Sequence, residues 1–259
     1  MDIAVVTLFP DLVAPLVQWG VVGRAVQRGQ VRLACEDPRD HATDAHATVD
    51  DRPYGGGPGM VIKVEPYATA IRAARARVPA GSPVVFLTPQ GERLTQARVR
   101  QLASLPGLVL VAGRYEGFDE RLVEAEADLE LSVGDFVVSG GELPALVVID
   151  AVVRLLPGVL GDDQSAQQDS FGDDGLLDCP HYTRPEQAAG RTVPPVLLGG
   201  DHAAIRRWRR KQALGRTRLR RPELLDGVTL DAEDRALLDE FLAEQHEAPA
   251  LAVDAAGLQ

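Results

Sequence analysis

Three short runs of branched and leucine-rich residues constrain this chain more than any other feature. They are Ile3–Phe9, Val84–Leu87 and Leu108–Ala112, and each is closed by Pro or Gly. They do not alternate apolar with polar, so both faces of each run must be covered, as in buried parallel strands. Helical composition separates them over Pro66–Arg77 and Thr95–Ala103, with Thr95 placed to cap the second helix after a turn at Gly91. A longer apolar stretch, Leu143–Leu156, follows Gly140-Gly141 and carries Arg154 near its end. This alternation predicts an α/β fold, a parallel sheet covered by helices.

The organisation changes after residue 160. Residues 161–178 hold six acids and no base, and read as a flexible interdomain linker. Beyond it a smaller, mainly helical region is expected over 179–246. Asp201 is placed to cap a helix over roughly 202–215, with Ala204, Ile205 and Trp208 on one arc and Leu214 outside it. A last helix starting at Asp231 is expected to bury Leu237, Leu238, Phe241 and Leu242. Residues 247–259 are Ala-rich without periodicity and read as a disordered tail. The division is therefore 1–160, 161–178, 179–246 and 247–259.

Charge sharpens this division. The chain of 259 residues has a formal net charge of −11, yet residues 181–221 carry ten Arg and Lys211 against only Glu186 and Asp201. A basic block on an acidic protein has an electrostatic reason to meet a polyanion at that place. A solvated, salt-bridged helix face is the competing explanation. No apolar run reaches transmembrane length, no signal peptide is visible, and two cysteines are too few for a disulfide scaffold, so a cytoplasmic protein is expected.

Three glycine-bearing segments follow strands: Leu87–Gly91, Gly113–Gly117 and Ser132–Glu142. Glycine lets a backbone approach a ligand, and ligands of open α/β sheets bind at the carboxyl ends of strands. Each alone is a tight turn; three together point to a ligand pocket. None fits the dinucleotide fingerprint or a phosphate-binding P-loop. A fourth glycine cluster, Tyr54–Met60, is either a functional loop or a linker, and the five histidines show no metal-ligand spacing. Arg154, beside Leu155 and Leu156, needs a carboxylate or a ligand unless it reaches solvent.

Several blocks together carry a resemblance: Arg52–Met60, Gly113–Gly117, Gly134-Asp135 with Ser139–Pro144, Asp169-Ser170-Phe171, Leu176–Pro185 and Arg207-Trp208-Arg209. From Phe9-Pro10 to about Phe241 the chain resembles the bacterial tRNA (guanine-N1)-methyltransferases, the TrmD family of the SPOUT class. The resemblance implies a parallel sheet with a deep trefoil knot and a small helical C-terminal domain, where topology rules alone favour an open sheet. It implies methyl transfer from S-adenosyl-L-methionine to N1 of guanosine 37 in tRNA with G36-G37, by a homodimer whose active sites lie at the subunit interface.

By the same resemblance Phe86, Leu87, Thr88, Pro89, Gly113, Tyr115, Glu116, Gly117, Val133, Gly134, Phe136, Val137, Val138, Gly140, Gly141 and Pro144 hold the methyl donor. Asp169 is the general base toward N1 and Arg154 stabilises the charge that moves to O6. Asp178, Arg184, Arg207 and Arg209 contact the RNA, and Glu116 matches a residue linked to Mg2+. Phe136, Phe118 and Val138 replace Tyr, Ile and Leu of the family pattern. The linker runs one residue longer around Gly172–Gly175.

Overall fold

In the computed structural model, residues 1–161 and 169–247 are described, and the chain divides into two units, Met1–Asp163 and Gln164–Gln259. The first unit is built on five parallel strands: β1 (Asp2–Val6), β2 (Arg32–Glu36), β5 (Val84–Arg93), β6 (Gly107–Ala112) and β7 (Leu129–Ser132), in the order β2-β1-β6-β5-β7. A separate antiparallel pair, β3 (Asp50–Asp51) and β4 (Val61–Ile62), flanks the glycine cluster. The absence of alternation in the strands has the expected cause. Ile3, Val5, Leu108 and Leu110 point to one face; Ala4, Val6, Val109 and Val111 point to the other.

Each face is covered by helices. Helix α1 (Pro10–Val13), α2 (Gly20–Gln27), α4 (Gln96–Ala103) and α6 (Glu142–Val153) supply Val13, Val22, Val99, Val148 and Val152 to the first face. Helix α3 (Val64–Arg75) and α5 (Glu120–Glu126) supply Tyr67, Ile71 and Leu122 to the second. Leu110 is fully buried, and truncating such a side chain to Ala costs about 2–5 kcal/mol.

Two strand assignments differ from the expectation. Strand β2 was not expected, because it reads Arg-Leu-Ala-Cys-Glu at the sheet edge, and the strand expected before Ser132 is the short β7. Gly91 does not end a strand. Strand β5 leaves its pairing with β7 after Leu87 and rejoins it at Glu92, so that both residues oppose Leu131. A Cβ on Gly91 would run into the backbone of Glu130 and Leu131, so glycine marks a close strand crossing rather than a turn. Thr95 does cap α4, accepting from the Arg98 amide at 3.3 Å.

The second unit is centred on α7 (His202–Arg220) and α8 (Ala232–Glu247), with a small hairpin of β8 (Gln187–Ala188) and β9 (Arg191–Thr192). Asp201 caps α7 by accepting from the Ala203 and Ala204 amides, and Asp231 accepts from the Asp234 amide at the start of α8. Helix α7 runs past residue 215 to Arg220, and its buried arc differs from the expected one. Leu214 and Thr217 are completely buried and Lys211 and Gly215 are buried too, while Ala204, Ile205 and Trp208 are only half-buried. The reason is chemical. Lys211 is neutralised by Glu240 at 2.7 Å and Glu244 at 2.6 Å, and the missing side chain of Gly215 admits the Phe241 ring.

Part of the segment read as a linker is folded onto this unit. The Phe171 amide donates to Leu176 O at 2.7 Å and the Leu177 amide to Thr217 Oγ1 at 2.9 Å; Leu176 joins Leu214 and Leu237 in the core. Its acids obscured this anchoring in the sequence. The remaining linker residues, 162–168, and the tail, 248–259, lie outside the described residues.

Candidate functional site

The loops after β6 and β7, together with the looped-out part of β5 between them, enclose a cavity of about 320 Å³ in the first unit. Its volume lies in the range of small-molecule sites. Fifteen of the sixteen residues expected to hold the donor line it: Leu87, Thr88, Pro89, Gly113, Tyr115, Glu116, Gly117, Val133, Gly134, Phe136, Val137, Val138, Gly140, Gly141 and Pro144. Phe86 does not; it is fully buried behind the wall, edge-on to the Phe118 ring with centroids 4.8 Å apart.

The walls are held by backbone contacts that small residues permit. The Gly141 amide donates to Gly113 O at 2.8 Å, tying the loop after β7 to the loop after β6. A Cβ on Gly141 would lie 2.7 Å from Ala112 Cα, so no larger residue fits without parting these loops. The Phe136 ring packs over Gly134, where a Cβ would lie 2.6 Å from the ring. Phe136 contributes shape but has no hydroxyl to donate. Tyr115 takes a left-handed backbone, φ 59°. Burial raises its phenol pKa, and a hydrogen bond with Asp50 adds to the shift.

Glu116 also faces the glycine cluster: its amide donates to Met60 O at 3.0 Å, and its side chain fills the space beside Gly59. The cluster Tyr54–Met60 is therefore a loop that backs the cavity wall. The apolar lining from Leu87, Val133 and Pro144 suits a flat heterocycle. The carboxylates of Glu116, Glu120 and Glu130 suit hydroxyl or ammonium groups. These features fit an adenosyl sulfonium ligand. Arg114, Glu120 and Glu130 line the cavity but were not singled out as site residues in the sequence; Arg114 was marked only by its place between Gly113 and Tyr115.

The residues expected to act on RNA lie elsewhere. Arg154 ends α6, half-buried, with its amide donating to Asp150 O at 3.2 Å. Asp169 is half-buried at the start of the described part of the second unit, where its carbonyl accepts from the Gly172 amide at 3.2 Å. Asp178 receives His181 Nε2 at 2.7 Å and the Cys179 amide at 2.6 Å. Burial raises its carboxyl pKa, but these partners outweigh it and hold the carboxyl below the ordinary aspartate range.

Asp178, Cys179 and His181 also bring donor atoms within 4.8 Å of one another. Burial pushes the Cys179 thiol up to about 11, and the Arg209 charge acts on it from nearby, which disfavours a second cation there. The trio is better described as a hydrogen-bonded anchor of the loop. Glu116 is not part of any such donor group among the described residues.

Arg184 is exposed. The basic helix α7 divides. Arg207 is tied to Glu240 at 2.6 Å, and Arg210 to Asp234 at 2.6 Å and to Asp174. Arg206, Arg209, Arg216, Arg218 and Arg220 make no ion pair among the described residues. The salt-bridged explanation of the basic block thus holds for Arg207, Arg210 and Lys211, and the other five arginines keep the polyanion explanation open. No helix of the described residues is long and apolar enough to cross a membrane.

A cavity at the carboxyl ends of parallel strands in one unit and an arginine-rich helix in the other define an α/β protein with a small-molecule site and a strongly basic surface. Residues 1–227 match the family model for tRNA (Guanine-1)-methyltransferase TrmD. A tRNA (guanine-N(1)-)-methyltransferase of Methylococcus capsulatus is 62% identical over 244 residues, covering 94% of this chain and 97% of that protein. One from Chromohalobacter salexigens is 60% identical over 251 residues, covering 95% and 94%. One from Halorhodospira halophila is 59% identical over 250 residues, covering 96% and 94%. The chain belongs to the tRNA (guanine-N1)-methyltransferase family, and it is a methyltransferase.

Proposed function

We propose that this chain methylates N1 of guanosine 37 in tRNA that carries G36-G37. It acts in the cytoplasm as a homodimer with active sites at the subunit interface. The observation that carries the reading is the single cavity in which the three glycine segments meet. We assign that cavity to S-adenosyl-L-methionine, and the strand crossing at Gly91 to the trefoil knot of the SPOUT class.

Bound there, the donor supplies a methyl group already made electrophilic by its sulfonium. The protein's task is then the nucleophile. Guanine N1 carries a proton at neutral pH, and Asp169 takes it. The charge left on the base spreads to O6, where Arg154 stabilises it more in the transition state than in the ground state. The target base must leave its stack, at a lower cost in a single-stranded loop than in a duplex.

Asp178, Arg184, Arg207 and Arg209 are assigned to the RNA, and any Mg2+ requirement to Glu116. Arg207 must then exchange Glu240 for a phosphate. The test uses unmodified tRNA with G36-G37 and labelled donor, followed by mapping of the methylated atom. Methyl on N1 of guanosine 37 is the expected result. Donor binding with no product on this tRNA would overturn the substrate assignment and turn the search to other RNAs.

A further inference from the structure

One buried charge next to the cavity is not used by this mechanism. Glu142, at the first turn of α6, is about 1% exposed. Its Oε1 accepts from Thr7 Oγ1 at 2.8 Å, at the end of β1. Its Oε2 lies 2.9 Å from Arg114 Nε. That approach is not aligned as a hydrogen bond, so the attraction is one of charge to charge. Arg114 is otherwise held by its own surroundings. Its guanidinium stacks 4.4 Å from the Phe9 ring centroid, and Nη1 donates to Ser139 O at 3.3 Å.

Among the described residues lining the cavity, Arg114 is the one cation. Beside the three carboxylates of the wall, an uncancelled guanidinium would repel a sulfonium ligand and weaken the net attraction for it. Burying a carboxylate is expensive unless it is paired, and Glu142 is paired with this guanidinium.

We propose that Glu142 is a positioning residue that holds Arg114 in the wall and cancels its charge, so that the cavity accepts a cationic sulfonium. The inference rests on the assignment of the cavity to the methyl donor. It makes a prediction that loop architecture alone does not: removing the carboxylate charge weakens the sulfonium ligand more than its uncharged thioether counterpart. Across a cavity of this size, one uncompensated charge changes the affinity of a charged ligand about tenfold.

The test is calorimetric binding of S-adenosylmethionine and S-adenosylhomocysteine to the full chain at pH 8. For Glu142→Gln, the ratio of the two dissociation constants moves about tenfold against the sulfonium. For Arg114→Met, which leaves the carboxylate uncovered, the ratio moves about threefold or more toward the sulfonium. The double variant returns within about twofold of the wild type. Equal weakening of both ligands in Glu142→Gln, or an unchanged ratio, overturns the proposal. If Glu142→Gln does not fold, an unchanged ratio in Arg114→Met overturns it equally. A wild type that binds neither ligand overturns the donor assignment instead.

Discussion

The two units handle charge in opposite ways. In the first, Arg114, the one cation among the described lining residues, faces the buried Glu142, and the cavity is lined by glycine and apolar residues together with Glu116, Glu120 and Glu130. In the second, five arginines of α7 carry no ion pair among the described residues, while Arg207, Arg210 and Lys211 are spent on acids of the same unit. The first unit is therefore expected to recognise its ligand by shape and by charges enclosed in the wall, which salt screens little. Under the proposed function the second is expected to recognise by field and to lose affinity as counterions compete. Selectivity for a small donor needs the former, and attraction of a large polyanion needs the latter.

The largest effect expected separates chemistry from binding in both. Asp169→Ala should lower single-turnover methylation by about 10²–10⁴-fold, with donor affinity in the first unit unchanged by calorimetry. Donor affinity that falls in parallel would place Asp169 in the donor site and break the division. Arg154→Ala should cost about 10²–10³-fold in the same assay. Next comes the shape of the cavity. In Gly141→Ala the added Cβ meets Ala112 Cα at 2.7 Å and the Gly113 amide nitrogen at 2.8 Å. The first unit should lose about 1–3 kcal/mol of stability, and the donor should bind at least about tenfold more weakly. Trp208 is the one tryptophan of the second unit, so a Trp19→Phe background reports on that unit alone; its fluorescence melt should not move.

Much of the first unit could be read from the sequence because its central strands are buried on both faces and glycines such as Gly91 and Gly141 are forced by contact. Ile3, Leu110 and Gly141 each have a single structural explanation. What escaped were features made by pairing between distant residues. Strand β2 is an edge strand whose composition carries no apolar run. The strand crossing at Gly91 depends on Leu131, forty residues on. Glu142 looks like an ordinary acid at a helix start until Thr7 and Arg114 are placed beside it. The second unit was less legible for the same reason. Lys211 reads as surface and is buried, because its partners Glu240 and Glu244 lie on another helix. The roles assigned to Asp169 and Arg154 came from resemblance: Asp169 is one of six acids in its segment, and the apolar neighbours of Arg154 called for a partner without naming a role.

The divided arginines of α7 give a finer test. Arg209→Ala and Arg218→Ala should each weaken tRNA binding and reduce the slope of affinity against salt by about one, while leaving the Trp208 melt in place. Arg210→Ala should do the reverse, lowering the melt because Asp174 and Asp234 lose their partner. If the salt slope is instead reduced by Arg210→Ala alone, the paired and unpaired arginines have exchanged roles in the complex.

The smallest effect is a matter of pH. Hydrogen bonds from Arg207 and Lys211 hold the Glu240 carboxyl down from 4.5 to about 2, and Arg210 lowers Asp234 likewise. A carboxyl depressed in the folded state binds fewer protons than it does unfolded, so its contribution is complete above the unfolded value. That contribution fades as pH falls from about 4.5 toward 2. Glu240 is more than a third exposed, and solvent screening limits its share to about 1 kcal/mol or less. The Trp208 melt should therefore fall gently through this window and level off above it. Arg207→Ala should flatten the fall by raising the folded-state value toward 4.5. An identical profile in that variant would mean that Lys211, the buried partner, carries the whole effect, and that Arg207 is free to serve the RNA at no cost to the fold.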